Sequence, residues 1–210
     1  MAMESGAVYG HHARNDQWIA EDVFPGLRGG FFVEAGACGG MSGSATLVLE
    51  RDLGWTGIAV EPLDSYYKTL VAHRTCSTDN RCLSDVTGGT VEFLSYVEDR
   101  ARSGIAELNK NGRWADKHGA TPEMMVKETV TLADLLDQHH APETIHYLCL
   151  DVEGAEATIL GAFDFTSRPI LAVSTEGGRC DQLLADAGYR RVENRHAPDR
   201  FDHYFLHPDV

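Results

Sequence analysis

Glu34-x-Gly36-x-x-Gly39-Gly40 follows the apolar run Phe31-Phe32-Val33 and puts an acid two residues ahead of the first of three glycines. Glycines in such a turn let the backbone approach a ligand closely, and a helix opening behind them presents unpaired N–H groups to a ligand's anionic end. Cys38 stands where the dinucleotide fingerprint G-x-G-x-x-G needs its second glycine. An acid this close to the turn suits a cationic ligand group better than a pyrophosphate. Taken alone, the segment also reads as an ordinary turn from strand to helix. Glu61 lies 25 residues after Gly36, at the end of a second short apolar run, where a carboxylate can accept both hydroxyls of an adenosine ribose. Together the two features describe a nucleoside site that either NAD or S-adenosylmethionine satisfies.

Asp151, Glu153 and Glu156 crowd three acids into six residues behind the run Ile145-His146-Tyr147-Leu148-Cys149-Leu150. Acids in a first helical turn meet the helix dipole favourably, which accounts for Glu153 and Glu156 without any chemistry. Asp151 differs, because an apolar strand delivers it to the edge where ligands bind, and perturbed acids gather in such clefts. Asp151 and Glu153 are therefore candidate catalytic residues, with His203 near the carboxyl terminus as a third group able to take a proton. Glu176 ends a further strand before Gly177-Gly178, and with Asp151 it could hold Mg²⁺, which favours carboxylates and water.

These residues need a scaffold that gathers strand ends, and the chain alternates accordingly. Apolar runs and period-2 patterns predict strands at 31–33, 57–61, 81–84, 90–94, 126–131, 145–151 and 170–175. Helices are expected from Ser42 or Ser44 to Leu53 and over 63–73, 132–139, 154–162 and 180–187. Residues 190–194 and 202–206 read as a closing hairpin. Strands alternating with helices predict a mostly parallel sheet covered on both faces, with ligands outside the carboxyl ends of its strands. The hairpin adds an antiparallel strand at one edge. Residues 95–125 break the rhythm with Gly104, Gly112, Gly119, Trp114 and Met124, and read as an insertion with some helix, suited to be an acceptor lid.

The chain has 210 residues, 43% apolar and 24% charged, which fits one ordinary globular domain spanning 1–210 and argues against disorder. Eighteen basic residues against 32 acidic ones give a net charge of −14, which repels a phosphate backbone, so no nucleic-acid partner is expected. No run is long and apolar enough for a membrane helix, and the first residues lack an apolar secretory core. Cys38, Cys76, Cys82, Cys149 and Cys180 are odd in number without a CxxC pair, so we expect thiols, a cytoplasmic location and no zinc. His11-His12 and His139-His140 read as surface residues rather than ligands.

Phe31 to Pro62 resembles the start of the FkbM family of S-adenosylmethionine-dependent methyltransferases, and Asp151-Val152-Glu153-Gly154-Ala155-Glu156 is similar to that family's DVEGAE signature. Asn15-Asp16-Gln17-Trp18, within an entry segment over 1–30, resembles the family's QD-containing entry. The resemblance implies an α/β fold of the class I methyltransferase type: a Rossmann-like sheet of seven strands, mostly parallel, with an antiparallel strand in the C-terminal hairpin. It implies S-adenosyl-L-methionine as cofactor, with Glu34, Gly36 and Gly39 at its methionine part, Ser44 and Thr46 near its carboxylate and Glu61 at the ribose. Ser84 and Asp85 would then lie beside the adenine, and Asp151 would face the cofactor's amino group or the acceptor. The implied reaction is O-methylation of a small molecule such as a sugar or natural-product intermediate, with no metal. A nicotinamide-dependent oxidoreductase and a silent cofactor-binding module are the alternatives. Oligomeric state stays open, a homodimer among the choices.

Overall fold

Strand residues of alternating size sort themselves onto two faces. The computed structural model describes residues 8–96, 99–198 and 201–210. The first seven residues of the entry segment, two of the insertion and two ahead of the last strand lie outside it. In chain order, α1 (Asn15–Gln17) widens into π-helical backbone over Trp18–Val23, followed by β1 (Phe31–Ala35), α2 (Leu47–Leu53), β2 (Thr56–Val60), α3 (Asp64–His73) and β3 (Ser77–Asp79). Then come β4 (Cys82–Leu83), β5 (Thr90–Ser95), β6 (Gly104–Ile105), α4 (Gly112–His118) and β7 (Glu123–Val130). The chain closes with α5 (Leu132–Gln138), β8 (Ile145–Leu150), α6 (Glu156–Gly161), β9 (Ile170–Glu176), α7 (Asp181–Asp186), β10 (Arg190–Val192) and β11 (Asp202–Leu206).

A mostly parallel sheet runs β10-β11-β9-β8-β1-β2-β3, with β11 antiparallel to both of its neighbours. Val33, Ala35, Leu148, Leu150 and Val173 face one side, where α5, α6 and α7 bury Leu135, Leu136, Ile159, Leu160 and Leu184. Phe32, Tyr147, Cys149 and Ala172 face the other, covered by Trp18 and Ile19 of the entry segment and Leu49 and Leu53 of α2. Burying side chains of this size contributes about 1.5–3 kcal/mol each, so a register slip that turned these residues outward would be costly.

Three local expectations are corrected. The sheet's third strand is Ser77–Asp79 rather than 81–84. Asp79 turns its carboxylate back onto the Arg81 N–H at 2.9 Å and pairs with the Arg81 guanidinium, which ends the strand there. Cys82 and Leu83 instead pair with β7 in a second sheet, ordered β4-β7-β5-β6. That sheet draws in parts of the region read as an insertion with some helix: β6 lies inside it and β7 begins at Glu123, while α4 is the helix. Helix α2 opens at Leu47, later than Ser42 or Ser44, since Ser44 and Thr46 are held in a buried network described below. The five cysteines are free thiols. Among the described residues, no helix is long and apolar enough to cross a membrane.

Candidate functional site

At the carboxyl ends of β1, β2, β8 and β9 the structure opens a cavity of about 500 Å³. Its floor depends on one close approach. Gly36 has φ of 83°, and a Cβ there would lie 1.9 Å from the carbonyl oxygen of Asp151. Only glycine fits, so the turn after β1 lies directly against the end of β8. Cys38, with φ of 48°, donates its N–H to Glu61 Oε2 at 2.8 Å, and the Leu63 N–H donates to Oε1 at 2.7 Å. A non-glycine residue in this conformation is uncommon and here serves to aim an amide at a buried carboxylate. Burial pushes the Glu61 carboxyl up to about 7, against the two amide hydrogen bonds and the Lys127 charge. Each oxygen keeps a second lone pair for a ligand hydroxyl.

Gly36, Glu61, Asp151 and Glu153 line the cavity as expected for a site. Other expected residues do not. Glu34 is buried on the α2 side of the sheet, where it accepts from Ser44 Oγ at 2.9 Å, the Ala45 N–H at 2.6 Å and Thr46 Oγ1 at 2.5 Å. Arg74 completes this network with Nη1 3.3 Å from Glu34 and Nη2 2.8 Å from Thr46 Oγ1. Period-2 alternation is the reason: Glu34 shares the face of Phe32, so its side chain goes behind the turn instead of over it. Glutamate, Ser44 and Thr46 thus build the loop ahead of α2 and do not line the cavity. Gly39 packs toward Thr69 of α3. Ser84 and Asp85 hydrogen-bond each other at 3.1 Å outside the lining, and Cys82 and Leu83 supply the apolar wall on that side. His203 also lies outside it, with Nδ1 2.6 Å from Asp181 Oδ1 and Nε2 3.0 Å from Arg191. Asp202, one residue earlier and in register with Glu176, reaches the cavity in its place.

The side of the cavity at the ends of β8 and β9 is crowded with acids. Burial pushes the Asp151 carboxyl well above the usual carboxylate range, and Glu176, Glu153, Asp202 and Glu156 push it further. Glu153 is raised by burial and by Glu176, partly offset by Asn111 and Lys110. It adopts φ of 57° and accepts from Asn111 Nδ2 at 2.7 Å, while Lys110 pairs with Glu176 and lies 3.8 Å from Glu153. Gly154 follows at φ of 119°, where a Cβ would meet the Leu108 carbonyl at 2.3 Å. The segment between β6 and α4 is therefore latched onto the DVEGAE turn. Arg102, from the turn just ahead of β6, lines the cavity with its guanidinium 4.9 Å over the Trp114 ring. The sequence marked the insertion as a unit but gave no signal for Lys110, Asn111 or Arg102, whose roles come from contacts across more than forty residues of chain or from a shared loop.

His12 is a further residue that sequence reasoning set aside. It lines the cavity, and its neighbour His11 is buried. Side-chain ligand atoms of His11, His12 and Asp151 lie within 4.8 Å of one another, as do those of Asp151, Glu153 and Glu176.

A mixed α/β fold with a large, mostly parallel sheet and a cavity at its carboxyl edge fits a Rossmann-like methyltransferase. The methyltransferase FkbM domain model matches residues 34–191, more than half of the chain, and the chain belongs to that family. It is a methyltransferase. No curated protein matches the chain.

Proposed function

We propose that the chain transfers a methyl group from S-adenosyl-L-methionine to a hydroxyl oxygen of a small molecule, a sugar or a natural-product intermediate, as a soluble cytoplasmic enzyme without a nucleic-acid partner. The strand order given above corresponds to the class I methyltransferase sheet. The observation that carries the choice of cofactor is the fate of Glu34. Its carboxylate takes the Ala45 N–H and the Ser44 and Thr46 hydroxyls, so the entrance to α2, where a pyrophosphate would be received, already holds an internal anion. Glu61, Asp99, Asp151, Glu153, Glu176 and Asp202 line the cavity, faced by the cations Arg102, in the lining, and Lys110, paired with Glu176. That field disfavours the two phosphates of a nicotinamide dinucleotide and favours a cationic ligand.

When bound, S-adenosyl-L-methionine supplies an electrophilic methyl carbon on a sulfonium and leaves as S-adenosylhomocysteine. Glu61 is suited to hold the ribose hydroxyls, and the turn at Gly36 to carry the nucleoside's thioether end toward Asp151. Residues 99–111, latched by Asn111 and Lys110, wall off the acceptor side from water, which keeps the acceptor oxygen in line with the methyl carbon. The hydroxyl proton passes to Glu153 or Asp151, the candidate bases that line the cavity, both raised by burial and by the acids around them. Calorimetric titration tests the reading: S-adenosylhomocysteine should bind at one site per chain and NAD should not. Comparable NAD affinity, or no binding of S-adenosylhomocysteine, ends it.

A further inference from the structure

We infer that His12 and Asp151 form the subsite for the amino-acid end of the cofactor, the imidazole meeting the α-carboxylate and the Asp151 carboxylate the α-ammonium. This rests on the S-adenosylmethionine reading above. The groups that sequence pattern assigns to that end, Glu34, Ser44 and Thr46, are consumed by one another and by Arg74 behind the turn. An α-amino acid puts a cation and an anion on one carbon, so its receptor needs a donor and an acid a few ångströms apart. His12 and Asp151 meet that condition, with ligand atoms within 4.8 Å of each other in the same cavity as Glu61 and Gly36. Among the described residues, neither the His12 ring nor the Asp151 carboxylate has a hydrogen-bond partner. Ser42 and Gly43, from the loop ahead of α2, line the cavity as well.

His12 is held in place by neighbours that have their own anchors. Its ring lies against that of His11, with centroids 4.4 Å apart. His11 Nδ1 accepts the Ala13 N–H at 3.3 Å, with the Asn15 N–H at 3.5 Å. Asn15 accepts from the Tyr204 hydroxyl at 2.8 Å, and Asn194 Nδ2 donates to the Ala13 carbonyl at 3.0 Å. The entry segment is thus tied to β11 and to the loop after β10, and brings the exposed His12 into the lining of the cavity. It lies ahead of the FkbM match at residues 34–191. A divalent metal on His11, His12 and Asp151 is the competing occupant. The amide donors at His11 Nδ1 put the ring proton on Nε2, which makes that nitrogen a donor and not a ligand. If Asp151 holds the ammonium, Glu153 is left as the base.

The test compares S-adenosylhomocysteine with 5′-methylthioadenosine, a thioether nucleoside without the amino-acid end, by calorimetry on the full chain and on His12→Ala and Asp151→Asn. Wild type should bind S-adenosylhomocysteine more tightly. Each substitution should weaken that affinity roughly tenfold or more while changing 5′-methylthioadenosine affinity less than about twofold. Equal loss for both ligands, or no loss for either, overturns the inference. So does intact S-adenosylhomocysteine binding in His12→Ala with a collapsed and pH-shifted methyl-transfer rate, which would make His12 a base. Affinity that vanishes on chelation and returns with Mn²⁺ would overturn it in favour of the metal. If wild type binds 5′-methylthioadenosine but not S-adenosylhomocysteine, the subsite fails alone; if it binds neither, the cofactor reading fails with it.

Discussion

A Cβ on Gly36 would lie 1.9 Å from the carbonyl oxygen of Asp151, so the turn after β1 and the end of β8 touch through backbone alone. This contact joins the two halves of the cavity, the side at Glu61 and the acid-rich side at Asp151. Gly36→Ala should therefore cost about 2–4 kcal/mol of stability, from left-handed backbone strain and overpacking together, measured by urea denaturation. S-adenosylhomocysteine affinity should fall in the folded fraction. A variant as stable as wild type would mean that the turn can move away without loss.

Arg74 is the counter-charge to a buried carboxylate, 3.3 Å from Glu34 and 2.6 Å from Glu50. Arg74→Met leaves Glu34 without its ionic partner and should destabilise the chain by about 3–5 kcal/mol. Glu34→Gln should be destabilising too, yet in folded protein should leave S-adenosylhomocysteine affinity within about threefold, since Glu34 is outside the cavity lining. A large affinity loss in folded Glu34→Gln would return that residue to the ligand.

Glu61 sets a pH dependence. Its carboxyl is raised to about 7 by burial, faced by Lys127, Cys38 and Tyr66 and by the Cys38 and Leu63 amides. The native state holds this proton more tightly than the unfolded chain, so this group's contribution lowers stability as pH rises from about 4.5 to about 7. Ribose hydroxyls favour the ionised acceptor, so S-adenosylhomocysteine affinity should rise with pH up to about 7, by at most about tenfold per unit. Calorimetry at a series of pH values checks this, and Glu61→Gln should flatten the profile.

Glu153 should separate chemistry from binding. Glu153→Gln keeps an oxygen that can accept from Asn111, and should leave S-adenosylhomocysteine affinity nearly unchanged while methyl transfer falls by about 10²-fold or more. Unaltered kcat would remove Glu153 from the proton path.

Lys110 pairs with Glu176 and approaches Glu153 at 3.8 Å, so its ammonium competes with a divalent cation for two of the three clustered acids. Methyl transfer should therefore survive exhaustive chelation. Loss of activity on chelation with recovery in Mg²⁺ would show that the ammonium gives way to a metal.

The alternation of apolar runs with helical stretches determined the layered α/β fold, and the residue types at two strand ends, Gly36 and Asp151, marked where the cavity lies. These signals are local: a strand's period and the residue that closes it are written in consecutive positions. Contacts between distant segments decided the rest. Glu34 looked like a ligand group because it precedes a glycine turn; strand alternation puts it on the Phe32 face, and the guanidinium that completes its network there, Arg74, comes from forty residues away, where local spacing cannot bring it forward. His203 and Asp202 are adjacent in sequence, and only the pairing of β11 with β9 chose Asp202 for the cavity. Residues 95–125 carried no regular period because β6 and the start of β7 find their partners in β5, so their order comes from pairing and not from any pattern of their own. His12 sits in a stretch of polar and small residues that promises nothing by itself; it becomes a site residue because Asn15, Tyr204 and Asn194 tie that stretch across the end of the sheet.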